Sequence, residues 1–231
     1  MSAPKPILNS VAVALYFFTC AIQLSAQTAV PIEKEPMHRL RFENEFVRVF
    51  DVLIPAGKST LLHTHALDGV GVRVSNADMA EEYPSGDRKT FAAKWGEASF
   101  GSGPIFSHTV INRGKTDFRN IYVELMVQNA PAKTGAVPVL SDRHIILIDN
   151  PRVRVNRLVL KPGESSTVHT HSMNGLGITL YDAKVEITKS VASPQVHEVK
   201  AGDFVWQKAG TTHVIRNIGS TVFEAIDIEL K

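Results

Sequence analysis

The 231 residues include a single cysteine, Cys20, and its place in the chain matters more than its number. Residues 11–24 form an apolar run that follows a stretch charged only at Lys5 and precedes Ser25-Ala26-Gln27. A weakly basic start, a short apolar core and small residues before a polar one are the layout of a secretory signal peptide, expected here over residues 1–26 with cleavage after Ala26. The run is shorter than the roughly 20 residues of a membrane span and is diluted by Thr19, Cys20 and Gln23, so no stable membrane insertion is expected after processing. Thr19 and Phe17-Phe18 are a poor lead-in for lipid attachment at Cys20. The expected location is the periplasm or the exterior. Without Cys20 the mature chain has no cysteine, which excludes disulfides, thiolate ligands and a cysteine nucleophile. Metal binding and proton transfer then fall to His, Asp, Glu and Tyr.

Basic clusters are also missing. The formal net charge is +2, and loss of residues 1–26 removes one lysine and no acid, so the mature chain is nearly neutral. With no Lys/Arg run, neither nucleic acid nor an anionic membrane surface is an expected partner. Helical periodicity is absent too: short β-branched runs such as residues 46–54, 69–74 and 120–127 alternate with Gly, Pro, Asn and Asp turns. The expected class is all-β. Residues 27–37 are polar and aperiodic, and read as an arm ahead of structure that begins near His38.

From His38 onward the chain repeats itself. His38, Asn44, Val47-Arg48-Val49, Gly57, Gly69 and Gly71 recur 106 residues later as His144, Asn150, Val153-Arg154-Val155, Gly163, Gly175 and Gly177. After one residue is lost the offset becomes 105, matching His108 with His213, Asn112 with Asn217 and Glu124 with Glu229. Sustained self-similarity of this kind marks a tandem duplication. Domains are expected over residues 38–130 and 140–231, joined by a linker of Pro, Gly and Ala at 128–138. Each copy should cover an exposed sheet of its twin, face to face.

Each copy carries a His-x-His pair, His63-Thr64-His65 and His169-Thr170-His171. On a strand these alternate residues share a face with Cα atoms about 6.6 Å apart, close enough for both imidazoles to hold one ion. A third histidine, His108 or His213, follows on a later strand, with Asn112 or Asn217 four residues beyond it. The first block resembles cupin motif one, G-x5-H-x-H-x3/4-E-x6-G, and the second resembles motif two, G-x5-P-x-G-x2-H-x3-N. Within motif two the second copy departs only at the proline, replaced by Lys208, whereas the first copy inserts a residue between Gly96 and His108. The chain thus looks like a bicupin. The resemblance implies two tandem antiparallel jelly-roll barrels, each with a metal in its mouth. The implied ligands are His63, His65, His108 and His169, His171, His213. Three imidazoles accept Fe, Mn, Zn, Ni or Cu, up to one ion per copy.

The motif-one glutamate is lacking in both copies. Its place falls at Gly69 and Val70 in the first and at Gly175 and Leu176 in the second. Asp68, and its counterpart Asn174, sit one residue early and should face away. A three-His site keeps the full 2+ charge and favours an anionic ligand. It is closer to the family's three-His dioxygenases, which cleave diketones, than to its oxalate-type decarboxylases and oxidases. Strand parity places Arg73 on the inward face, where it can bind a substrate carboxylate or pair with a neighbouring strand; Thr179 and Tyr181 take the corresponding positions in the second copy. Glu124 and Glu229 end matched strands and read as solvated edge charges, the alternative being that they supply the missing acid; Arg48 and Arg154 read as outward-facing charges. His38 and His144 read as strand-end polar residues without partners, and His197 has no counterpart.

Two functions stay open at this level. One is a metal-dependent enzyme acting on a small polar or anionic molecule, dioxygenase-like with iron or a lyase or isomerase with zinc or manganese. The other is a non-catalytic binder of a small molecule such as a sugar acid. The partner is a small molecule in either case, and a homodimer is compatible with both.

Overall fold

The computed structural model describes Met1 and residues 28–126, 143–189 and 192–231. The expected leader and linker lie outside these residues. Short β-branched runs with Gly, Asn and Pro breaks give strands and turns, and the described residues contain no α-helix.

The first half contains β1 (Val30–Pro31), β2 (His38–Glu43), β3 (Val47–Ile54), β4 (His63–His65), β5 (Gly69–Arg73), β6 (Ala77–Glu82), β7 (Arg88–Ala93), β8 (Ala98–Gly101), β9 (Phe106–Asn112) and β10 (Phe118–Leu125). The second contains β11 (His144–Asp149), β12 (Val153–Leu160), β13 (His169–Thr170), β14 (Gly175–Thr179), β15 (Ala183–Lys189), β16 (Gln195–Val199), β17 (Phe204–Gln207), β18 (Thr212–Asn217) and β19 (Phe223–Leu230). Strands β2 to β10 correspond in order to β11 to β19. Even a bulge recurs, at Leu40/Phe42 between β2 and β3 and at Ile146/Ile148 between β11 and β12.

Each half is two facing sheets. Their orders are β1-β4-β9-β6-β7 and β2-β3-β10-β5-β8 in the first, β13-β18-β15-β16 and β11-β12-β19-β14-β17 in the second. The pairings are antiparallel except that of β1 with β4. Among the described residues no sheet closes on itself, so the expected barrel is seen as an open pair of sheets. The motif asparagines fasten matching turns. Asn112 Nδ2 donates to the carbonyls of Ile54 and Thr116, and Asn217 Nδ2 to those of Leu160 and Thr221.

Strand alternation divides the core in three. On β10, Phe118 and Tyr122 face the interior of the first half, where Phe50, Val52, Ile54 and Met79 gather. On β19, Phe223 and Ala225 face the interior of the second, with Leu158, Leu160 and Val185. The opposite faces of the same strands meet each other. Val123 and Leu125 join Val70 and Val72 against Ile226, Ile228, Leu176 and Ile178 in one apolar layer shared by both halves. Phe46 stacks on Trp206 across it with ring centroids 5.6 Å apart. The duplicated sheets therefore pack face to face.

The arm is not ahead of the structure, as its polarity suggested. Val30 lies beside His63 in the parallel β1–β4 pair, and Ile32 enters the first-half core. The buried isoleucine, the β1–β4 pair and the hydrogen bonds of buried Glu35 hold it.

Candidate metal centre

The antiparallel register sets His63 directly opposite His108, and His169 opposite His213. The second residue of each pair, His65 or His171, shares the face of the first. In the second half, His213 Nε2 lies 2.9 Å from His169 Nε2 and 3.1 Å from His171 Nε2. In the first, His63 Nε2 and His65 Nε2 are 3.2 Å apart, and the His108 ring centroid is 4.7 Å from that of His63. Two nitrogens bound at right angles to one ion at 2.0–2.1 Å would stand about 2.9 Å apart.

The other ring nitrogens fix which atom faces inward. His63 Nδ1 donates to the Leu61 carbonyl at 2.9 Å, and His169 Nδ1 donates to that of Thr167 at 3.0 Å. Both rings thus turn an Nε2 lone pair toward the centre. His65 Nδ1 hydrogen-bonds the Tyr122 hydroxyl at 3.1 Å. Neither nitrogen of buried His108 has a hydrogen-bond partner. Ring nitrogens that converge this closely share either a proton or a cation, and the converging trios, His38, His63 and His65 in the first half and His169, His171 and His213 in the second, each fit one divalent ion; the expected third ligand of the first half, His108, lies beside its trio.

Burial, followed by neighbouring histidines, holds the first-half rings neutral: His63 is pushed down to about 4, His65 to about 2 and His108 to about 3. In the second half burial leads again, taking His171 to about 4 and His213 to about 3, and it lowers His169. Neutral imidazole is the metal-binding form.

Several other residues stand elsewhere than the sequence suggested. His38 and His144 are not isolated: the His38 ring is 4.7 Å from that of His63, and the His144 ring 5.2 Å from that of His169. Their strands precede the motifs in sequence but lie under them in space. His38 Nδ1 donates to Glu35 Oε2 at 2.7 Å, and His144 Nε2 donates to Asp227 Oδ2 at 3.2 Å. Glu124 and Glu229 are not solvated; they are 1% and 3% exposed. Their strands β10 and β19 are central, and they lie directly opposite Gly69 and Gly175, the positions where the motif acid is missing. Glu229 Oε1 comes within 3.9 Å of His171 Nδ1. Arg48 and Arg154 accompany these acids, with Arg48 Nη1 3.7 Å from Glu124 Oε2 and Arg154 Nη1 4.0 Å from Glu229 Oε2. The Val-Arg-Val pattern hid this because the valines face the other half, so the arginines face inward.

Arg73 lines a cavity of about 320 Å³ together with His65, His108, Lys89, Asn120 and Tyr122. Its Nη1 donates to Ser99 Oγ at 2.5 Å, its Nε is buried without a partner, and burial lowers its pKa. In the second half Thr179 is buried, but Tyr181 lies past the end of β14 and stacks on Trp95 of the other half with centroids 5.3 Å apart. It is therefore outside the site. A second cavity of about 670 Å³ reaches His213 and is lined by Ile187, Trp206, Ile215, Lys189, Lys208 and His197. Asp68 turns away and pairs through Oδ2 with Arg152 Nε at 2.9 Å.

No protein-family model and no curated protein matches the chain. Among solved structures it is similar to AerE from Microcystis aeruginosa, at 13% identity over 85% of this chain and 98% of that one, with a TM-score of 0.59. It is similar to oxalate decarboxylase from Lactobacillus farciminis, at 12% identity over 83% of each chain and a TM-score of 0.57. A cupin 2 conserved barrel domain protein from Leptotrichia buccalis aligns at 13% identity over 83% of this chain and 87% of that one, with a TM-score of 0.51. At such identities the likeness is one of fold, a bicupin fold, and the converging histidines of each half could hold one divalent ion.

Proposed function

We propose that the protein is an exported, metal-dependent enzyme acting on a small anionic molecule. The observation that carries this reading is the first-half cavity, where cationic Arg73 and Lys89 share a wall with His65 and His108. A divalent ion on the histidines would act as Lewis acid, or with iron would supply dioxygen chemistry. Arg73 would bind a substrate carboxylate through its fork of donors, with Asn120 and Tyr122 fixing orientation. The phenylalanines of the same cavity, Phe91, Phe100 and Phe106, would keep water out.

The fold likeness to oxalate decarboxylases puts small dicarboxylates among the substrates to test, and the glycines at the motif-acid position put small diketones and phenolic acids beside them. The test begins with elemental analysis of protein recovered in its exported form. Oxygen uptake and carbon dioxide release are then measured on these three classes. Metal-dependent turnover of one class, with KM raised at least about tenfold in Arg73→Ala, is expected. Saturable binding without turnover under every metal would favour the alternative, a binder of a sugar acid or similar anion, for which the missing motif acid is the supporting feature. His63→Ala and His169→Ala should each lose about one metal equivalent and the double variant both. Full metal content in either single variant would remove that half from the reading. Export with processing near Ala26 is checked by intact mass, and a mature species retaining residues 1–20 would contradict it.

A further inference from the structure

We infer that the first half holds its metal with four imidazoles, His38 being the fourth, and that the N-terminal arm supplies Glu35 to aim it. The inference rests on the metal reading of the same site. One ring nitrogen each of His38, His63 and His65 lies within 4.8 Å of the others, close to the roughly 4.2 Å that two opposite nitrogens span around one ion. His108 stands beside this trio, its ring centroid 4.7 Å from that of His63 and 5.1 Å from that of His65, and both its ring nitrogens are buried and unpartnered, so a turn of its ring would bring the fourth nitrogen to the ion. His38 is itself buried, and its Nδ1–H donates to the Glu35 carboxylate, which leaves Nε2 as the ligand atom.

Glu35 is a built feature. It is 2% exposed, and its oxygens also accept the backbone N–H groups of Met37 at 2.8 Å and Leu61 at 3.2 Å. Leu61 in turn holds His63 through its carbonyl, so one carboxylate braces two histidines through separate routes. The turn Ile32–Lys34 and the β1–β4 pair carry Glu35 to this place.

The second half is wired differently. His144, the duplicate of His38, donates its Nε2–H to Asp227, which Gln207 Nε2 also holds at 3.2 Å, and its buried, unpartnered Nδ1 lies outside the trio of His169, His171 and His213. The residue at the Asp227 position in the first half is Tyr122, which binds His65 and leaves His38 free to face the ion. Four imidazoles would leave two coordination positions in the first site, and three would leave three in the second. Ligand exchange would therefore be faster and less selective in the second half.

The experiment uses cobalt(II) and the full chain with one half silenced. In the His169→Ala/His171→Ala background, cobalt in the first half should show four imidazoles by X-ray absorption. Adding His38→Ala should lower that count to three and shift the visible d–d bands. Glu35→Gln, which preserves size, should keep the fold by circular dichroism yet weaken cobalt binding about 10- to 100-fold. In the opposite background, His63→Ala/His65→Ala, His144→Ala should change cobalt affinity less than about twofold. Cobalt bound by three imidazoles, with spectrum and affinity untouched by His38→Ala and Glu35→Gln, would overturn this inference alone. No cobalt in the first half at all would overturn the metal reading with it.

Discussion

Each buried motif histidine is kept neutral by its surroundings, so acid works against the folded state. In the metal-free protein the folded values are about 2 for His65, 3 for His108 and His213, and 4 for His63 and His171, against about 6.5 in an unfolded chain. Below pH 6.5 the unfolded chain takes up protons that the folded one refuses. The stability is therefore complete above pH 6.5 and is lost as pH falls toward the folded values, by at most about 1.4 kcal/mol per pH unit for each histidine. Urea midpoints measured with chelator should fall steadily from pH 7 to pH 5, and a flat profile would contradict the burial of these rings. Glu124 works in the opposite sense. Burial pushes its carboxyl up to about 7, with Arg48 pulling the other way, so its ionisation between pH 4.5 and 7 favours the unfolded chain. Glu124→Gln should stabilise the protein by on the order of 1–3 kcal/mol above pH 7 and have no effect below pH 4. The motif histidines were legible in the sequence because alternation and spacing within two short strands are local properties. Glu35, His38 and Glu124 were not, because what surrounds them depends on which strands become neighbours.

The strands that carry the His-x-His pairs are short, three residues in β4 and two in β13, so their placement depends on the strands around them. Backbone approach replaces the motif acid at that level. A Cβ at Gly175 would lie 2.2 Å from the Ile228 carbonyl oxygen, and one at Gly69 would lie 2.3 Å from the Tyr122 hydroxyl. No side chain fits either position without displacing β19 or Tyr122. Gly175→Ala should cost roughly 1–3 kcal/mol in denaturant unfolding, the range for forcing atoms into a packed core. Gly69→Ala should cost less, since a ring can turn aside, but should loosen His65 by breaking its bond to Tyr122. Equal stability of Gly175→Ala and the parent would show that β14 and β19 are not packed this closely. The all-β class and the doubled strand order could be read from turn residues and repeats, whereas the arm strand β1 could not. Its two residues carry no periodicity, and it is held by pairing with β4.

Across the whole molecule the duplication supplies the larger part of the cement. Eight buried apolar side chains from each half, from Val47 to Leu125 and from Val153 to Leu230, meet in the shared layer. Two arginines clasp its rim in reciprocal fashion. Arg119 is paired with Asp51 at 2.9 Å and donates to the Ala201 carbonyl at 2.8 Å, while Arg157 of the second half donates to the Gly96 carbonyl. Gly96 and Gly202, at φ +74° and +82°, are the seats, and a Cβ on either would come within 2.7 Å of the incoming guanidinium. With about 1.5–3 kcal/mol for each fully buried Val, Leu or Ile, a half without its twin would expose more apolar surface than a small sheet pair tolerates. The intact chain should therefore unfold in one calorimetric transition. Residues 28–126 expressed alone should form a homodimer, because the exposed face was shaped against a copy of itself and a two-fold pairing covers it again. Light scattering measures this directly, and Val72→Asp, which sets a charge in the layer, should abolish the dimer. A monodisperse, cooperatively folded monomer of residues 28–126 would show that each half carries its own stability and that the shared layer is an incidental contact.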